Sequence, residues 1–137
     1  MSFVLDASVT LAWCFGDETT IASTKLLEKL DEEVAYVPEL WRLEVGNILV
    51  VAERRKQITH AGIAEFLSLL GELNIQVDKE TSERAFHEII SLAYSENLTT
   101  YDAAYLELAM RLGLPLASKD AQLQQAAKKL GVKIIGI

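Results

Sequence analysis

A single cysteine, Cys14, stands among the 137 residues, so no internal disulfide can form and a reducing, cytoplasmic setting is the default. Histidine is nearly as scarce, with two residues, which removes the nitrogen and sulfur donors that zinc prefers. No apolar run approaches the roughly 20 residues needed to cross a bilayer, so no membrane role is expected. Met1-Ser2-Phe3-Val4-Leu5-Asp6 lacks a basic segment and meets a charge at once, so it does not read as a secretion signal. Basic side chains are outnumbered, 13 Lys and Arg against 20 Asp and Glu, for a net charge of −7. That balance argues against a strong, non-specific grip on nucleic acid. The positive charge that exists is concentrated around Arg54-Arg55-Lys56 and in the C-terminal lysines. No linker, repeat or low-complexity stretch interrupts the chain, so residues 1–137 are read as one domain.

Half of the residues are apolar, and their spacing alternates between two periods. Phe3-Val4-Leu5 is a short buried-strand pattern ending in Asp-Ala-Ser, a helix start. Helical spacing follows over Thr20–Leu30, then a strand over Val34–Val37, closed by Pro38 at the first turn of a helix that runs to about Arg55. Leu40, Leu43, Asn47, Ile48 and Val51 are the expected buried stripe of that helix. Thr59 caps a further helix, Ile75–Val77 forms a strand, and Lys79–Tyr94 another helix. Thr99 or Thr100 caps a helix that Gly113 ends. Leu116-Ala117, Ala121–Leu130 and Val132–Ile135 then read as strand, helix and strand. Short strands alternating with helices predict an α/β fold, with a parallel sheet of about five strands flanked by helices on both faces. Ligand sites in such sheets lie beyond the carboxyl ends of the strands.

Four acids sit where decoration is least expected. Asp6 and Asp120 follow strands directly; either alone would pass for a helix cap. Glu44 lies on or beside an apolar helix stripe, where a carboxylate must be paired, protonated or bound to a cation; Arg42 or Arg54 are the partners a plain salt bridge would use. Asp102 sits among Leu98, Tyr105, Leu106 and Ala109, in a first turn that also suits an acid on dipole grounds. If all four converge, their repulsion at neutral pH is offset only by bound cations. An all-oxygen set suits Mg²⁺ or Mn²⁺, and carboxylate-held Mg²⁺ is suited to phosphate chemistry.

At these residues the sequence resembles the PIN domain family, and within it the compact single-domain toxins of the VapC type. The matching segments are Val4-Leu5-Asp6-Ala7-Ser8, Pro38 to Asn47 around Glu44, Thr100-Tyr101-Asp102-Ala103-Ala104-Tyr105, and Leu116-Ala117-Ser118-Lys119-Asp120. They cover essentially the whole chain in order. The resemblance implies a three-layer PIN-like sandwich and an endoribonuclease that uses Mg²⁺ or Mn²⁺ to hydrolyse a phosphodiester, leaving 5′-phosphate and 3′-hydroxyl ends. It implies Asp6 and Asp102 as direct metal ligands, with Glu44 and Asp120 acting through water or orienting the nucleophile. Ser8, Asn47 and Ser118 would be hydrogen-bonding neighbours, and Arg42, Arg54, Arg55 and Lys119 contacts to RNA phosphates. By the same resemblance the protein is a homodimer, held in check by a small antitoxin, and its substrate is a structured RNA such as transfer or ribosomal RNA.

Other residues have plainer readings. His60 and His87 read as surface or packing residues, Cys14 as helix packing, and Trp41 as core rather than a base-stacking platform. A phosphatase of the haloacid-dehalogenase type also begins with a strand-end Asp, but its chemistry needs an acid where Ser8 stands. A PIN-like binding module without catalysis would be marked by loss of one of the four acids, and none is lost. A housekeeping RNA-processing nuclease would carry the same residues as a toxin.

Overall fold

The computed structural model describes residues 2–136. It contains a five-stranded, wholly parallel sheet in the order β3-β2-β1-β4-β5. The strands are β1 (Phe3–Leu5), β2 (Ala35–Val37), β3 (Ile75–Val77), β4 (Leu116–Ala117) and β5 (Ile134–Ile135). The helices are α1 (Ala7–Ala12), α2 (Ile21–Lys29), α3 (Trp41–Arg54), α4 (His60–Glu72), α5 (Thr81–Arg84), α6 (Ile90–Glu96), α7 (Thr100–Leu112) and α8 (Ala121–Lys129). Phe3, Val4 and Leu5 are all fully buried. Because successive strand side chains point to opposite faces, that pattern requires both faces of the sheet to be covered. Full burial of side chains the size of Phe3 and Leu5 contributes about 1.5–3 kcal/mol each.

The chain lays β2 and β3 on one side of β1, then returns across it to place β4 and β5 on the other. Val4 pairs with Leu116 and Leu5 with Ala117, and the Asp6 amide donates to the Ala117 carbonyl at 3.2 Å. The direction of winding therefore reverses between β1 and β4, and the carboxyl ends of two such strands are where sheets of this kind form their ligand crevice. Asp6 and Asp120 follow these two strands.

Helix ends follow their sequence signals. Thr20, Thr59 and Thr99 each accept a backbone N–H from the first turn, and Gly113 ends α7 in the left-handed region at φ 65°, which a residue with a Cβ adopts at a cost. Three expectations are corrected. Pro38 does not open the third helix: it precedes it in a turn, its carbonyl accepting from the Trp41 amide, and α3 starts at Trp41. The stripe that α3 buries is Trp41, Val45, Leu49 and Ala52, whereas Leu43 is 79 % exposed and Asn47 and Ile48 also face outward. Apolar residues lie on nearly every face of this helix, so spacing alone could not select the buried one. The helix expected over Lys79–Tyr94 begins at Thr81 and is interrupted by a π-helical turn at Ala85–Ile89.

An ion-pair network absent from the sequence reading ties α7 to the end of β3 and to α5. Arg111 donates to Asp78 at 2.8 Å and to Glu107 at 2.9 Å, and Arg84 lies 3.8 Å from Glu107. Glu107 is buried, and it tolerates burial because two guanidinium groups face it. The Arg111 charge holds the Asp78 carboxyl below its ordinary value against the opposing effect of burial. Among the described residues, no helix is long and apolar enough to cross a membrane.

Candidate active site

The crevice is built outward from Asp6. Its side chain caps α1, Oδ1 accepting the Val9 amide at 3.1 Å and the Ser8 hydroxyl at 2.6 Å. Ser8 in turn accepts the Lys119 amide at 3.0 Å, so one hydroxyl joins the turns after β1 and β4. Thr10 Oγ1 donates to the Asp6 carbonyl and accepts from the Trp41 indole, both at 2.9 Å. That bond pins the start of α3 against α1 and carries Glu44, one turn on, toward the crevice.

The other acids are fixed by comparable local logic. Asp120 caps α8, Oδ1 accepting the Leu123 amide at 2.8 Å, and its own amide donates to Ser118 Oγ at 3.0 Å. Asp102 lies in the first turn of α7, its amide bound to the Thr99 hydroxyl at 3.0 Å. Ala103 and Ala104 sink into a small cluster with Ile89 and Ala93; their small side chains let α7 approach α6 closely. Glu44 is half-buried and accepts the Tyr105 hydroxyl at 2.5 Å, across 61 residues of sequence.

Repulsion links Asp6 with Asp120, Asp102 with Asp6 and Asp120, and Glu44 with Asp102 and Asp6, while Asp120 itself is exposed. Burial raises the Asp6 carboxyl, bonds from Ser118, Ser8 and the Val9 amide oppose the rise, and the Asp120 charge adds to it. Burial also raises Glu44 against the lowering effect of Tyr105, with Asp102 and Asp6 adding repulsion. Asp102 is raised by burial and then by Asp120 and Asp6. Among the described residues no Lys, Arg or His pairs with any of the four; Lys119, the nearest in sequence, pairs instead with Glu18 at 3.7 Å. Clustered, partly desolvated carboxylates without a counter-charge are a net electrostatic cost, and a bound cation is the direct remedy.

The chemistry of the set fits a hard divalent cation, since all four side chains offer carboxylate oxygens. Among the described residues no three His, Cys, Asp or Glu side chains stand close enough together to hold a metal ion between them. A closed cage is not what Mg²⁺ asks for, since it keeps several waters and binds through one or two carboxylates.

The remaining expected residues fall in different places. Ser8 and Ser118 lie in the site. Asn47 is exposed one turn beyond Glu44, in an open groove with Phe15, Asp17, Glu18 and Arg55. Arg42 lies in a cleft with Leu67, Gly71 and Val77, on the side of α3 toward α4 and β3. Arg54 and Arg55 are about 15 Å along the helix from Glu44, at a rise of 1.5 Å per residue. His60 and His87 are exposed, and Trp41 is core. Two residues with roles at the site went unnoticed in the sequence: Thr10, through its link to Asp6 and Trp41, and Tyr105. The available signal for Tyr105 was its position three residues after Asp102, on the same helix face.

Comparison with known proteins agrees with this architecture. Residues 3–129 match the PIN domain family. A curated relative, Ribonuclease VapC3 of Pyrobaculum aerophilum, is 26 % identical over 125 residues, covering 91 % of this chain and 94 % of its own. Two crystal structures share the fold. PAE2754 from Pyrobaculum aerophilum has a TM-score of 0.68 at 24 % identity, over 98 % of this chain and 92 % of that one. FitAcB from Neisseria gonorrhoeae has a TM-score of 0.53 at 20 % identity, over 98 % and 96 %.

Proposed function

The chain belongs to the PIN domain family, and from that premise we propose that it is a divalent-metal-dependent endoribonuclease, the cytoplasmic toxin of a toxin–antitoxin pair. The observation that carries the reading is the set of four carboxylates around the β1–β4 crevice, mutually repelling and without a basic partner among the described residues. A relative named as a ribonuclease, aligned along nearly the full length of both chains, supports the reaction class. The toxin role rests on the VapC-type motifs and on that relative's name.

Asp6 and Asp102 would hold Mg²⁺ or Mn²⁺ directly, with Glu44 and Asp120 bonding its waters. When bound, such an ion lowers the pKa of water and offsets charge on the phosphate during hydrolysis. The protein's own residues prepare the site. Ser8 and the Val9 amide fix Asp6 so that it need not reorganise, and the α8 amide of Leu123 does the same for Asp120. Glu44 or Asp120 would orient the attacking water and accept one proton from it as the water oxygen bonds to phosphorus and the P–O3′ bond breaks; the departing 3′-oxygen would take a proton from solvent, giving 5′-phosphate and 3′-hydroxyl ends. The acidic surface disfavours long unstructured polymers, which fits a small folded RNA, transfer or ribosomal, recognised locally through a few contacts such as Arg42, Arg54, Arg55 and Lys119.

A homodimer is part of this reading. Phe86, Ile90 and Tyr94 stand four residues apart on one outward face, with Phe86 86 % and Tyr94 85 % exposed. Two aromatics hold roughly 150–250 Å² each, a large share of the roughly 800 Å² that each partner contributes to a stable interface.

The direct test is cleavage of total transfer RNA and a short single strand by purified chain freed of any partner. The reactions run with Mg²⁺, Mn²⁺ or EDTA, beside Asp6→Asn and Asp102→Asn. Discrete cleavage that needs metal and both carboxylates is the expected result. Silence on RNA, together with no acid-dependent metal binding by calorimetry, would refute the enzyme and leave a binding module.

A further inference from the structure

Tyr105 is 2 % exposed and belongs to the main core, where phenylalanine would fill the same space without a hydroxyl to satisfy. A buried phenol is costly unless it meets an acceptor. Here the acceptor is Glu44 Oε1 at 2.5 Å, on a different helix. The same face of α7 carries Asp102 three residues earlier, so a single helix turn supplies one carboxylate and the clamp on another. Glu44 has no other hydrogen-bond donor or cation among the described residues.

We propose that Tyr105 is a positioning residue of the metal site: its hydroxyl occupies one oxygen of Glu44 and leaves the other as that side chain's single donor toward a divalent cation or its water. This rests on the metal-site reading above and deepens it. Without the phenol, Glu44 sits on its helix with several rotamers open and with Asp102 and Asp6 repelling it from the crevice. Its carboxylate then has to be ordered at the moment the cation binds. With the phenol, α3 and α7 are joined directly at the two acids, and the ordering precedes binding. Groups that hold a ligand in place in this way commonly affect metal affinity by about 10–100-fold.

The test is a double-mutant cycle read by Mn²⁺ calorimetry, from micromolar to millimolar metal, on the full chain freed of any partner. Tyr105→Phe keeps the ring and removes the hydroxyl; it is expected to weaken Mn²⁺ binding about 10–100-fold. In a Glu44→Gln background the same change should cause no further loss, because the phenol acts through the missing carboxylate. Glu44→Asp, which leaves Tyr105 whole and draws the carboxylate back by one methylene, should reproduce the loss and covers the case in which Tyr105→Phe does not fold. Wild-type affinity in Tyr105→Phe, or an equal loss in both backgrounds, would overturn the positioning role alone. Absence of carboxylate-dependent Mn²⁺ binding in the wild type would overturn the metal site and this inference with it.

Discussion

Replacing Asp6 by Asn should stabilise the metal-free protein while abolishing its response to metal. Asn keeps an Oδ1 that accepts from the Ser8 hydroxyl and the Val9 amide, and its amide nitrogen replaces the oxygen available to Ser118. What is lost is charge assistance, since bonds to a charged acceptor contribute about 1.5–3 kcal/mol and neutral ones about 0.5–1.5. What is gained is relief from burying a carboxylate beside Asp120, with no counter-charge among the described residues. The raised pKa of Asp6 gives the sign of the balance: burial and repulsion outweigh the hydrogen bonds, so ionisation is less favourable in the folded chain than in the unfolded one. Replacing buried ion pairs by well-packed apolar groups is neutral or stabilising by about 1–4 kcal/mol, and neutralising one buried carboxylate while its Oδ1 bonds are retained is expected in the lower half of that range. For a domain of this size that shift corresponds to a rise in Tm of roughly 3–8 °C. The assay is thermal unfolding by circular dichroism near neutral pH, in EDTA and in millimolar Mn²⁺. In EDTA the variant should melt above the wild type; in Mn²⁺ the wild type should rise and the variant should not. The pH dependence follows from the same groups. Asp6, Glu44 and Asp102 all bind protons in the native state at pH values where the unfolded chain has released them. The contribution of these acids to wild-type stability in EDTA should therefore be fullest below the unfolded carboxylate range of about 4 and be lost as pH rises through their raised values. Asp6→Asn should flatten that decline. A variant that melts below the wild type in EDTA, or that gains as much from Mn²⁺, would refute the reasoning.

Arg111→Met removes the centre of the network joining Asp78 and Glu107 and should cost about 3–5 kcal/mol in urea unfolding, the range for stranding buried partners. Asp78 has a lowered pKa, so its contribution is present above the ordinary carboxylate range and lost as acid titrates it; wild type and Arg111→Met should converge in stability at low pH. Thr99→Ala removes the cap of α7 and the bond to the Asp102 amide; a loss of about 1 kcal/mol in the same unfolding assay is expected, with Mn²⁺ affinity reduced less than by Asp102→Asn. Under the proposed dimer, wild type should run as a dimer and Phe86→Glu combined with Tyr94→Glu as a monomer in light scattering after size exclusion, with the metal response of the melting curve intact. A dimer that survives both changes would place the interface elsewhere.

The sequence by itself determined the class of fold and the identity of the acids. Phe3-Val4-Leu5, Ala35-Tyr36-Val37 and Ile75-Gln76-Val77 are strands because short β-prone runs bounded by polar or proline residues have few alternatives. Thr20, Thr59, Thr99 and Gly113 mark helix ends through purely local hydrogen bonding and backbone sterics. Asp6 and Asp120 could be placed at strand ends for the same reason, since a strand's end and the next helix's cap are local events. Tertiary structure alone decided what depended on distant partners. The buried face of α3 is set by which neighbours it meets, and a helix apolar on most sides carries no internal statement of that. The Arg111 network joins residues 33 positions apart, and no spacing rule reports such a pair. A plain salt bridge of Glu44 would use Arg42 or Arg54, yet the group that bonds it is the hydroxyl of Tyr105, 61 residues away. Whether four acids form a site or four separate caps depends on sheet order, because only the return of the chain across β1 brings Asp120 beside Asp6. Local physics wrote the elements, and the winding of the sheet brought their ends together.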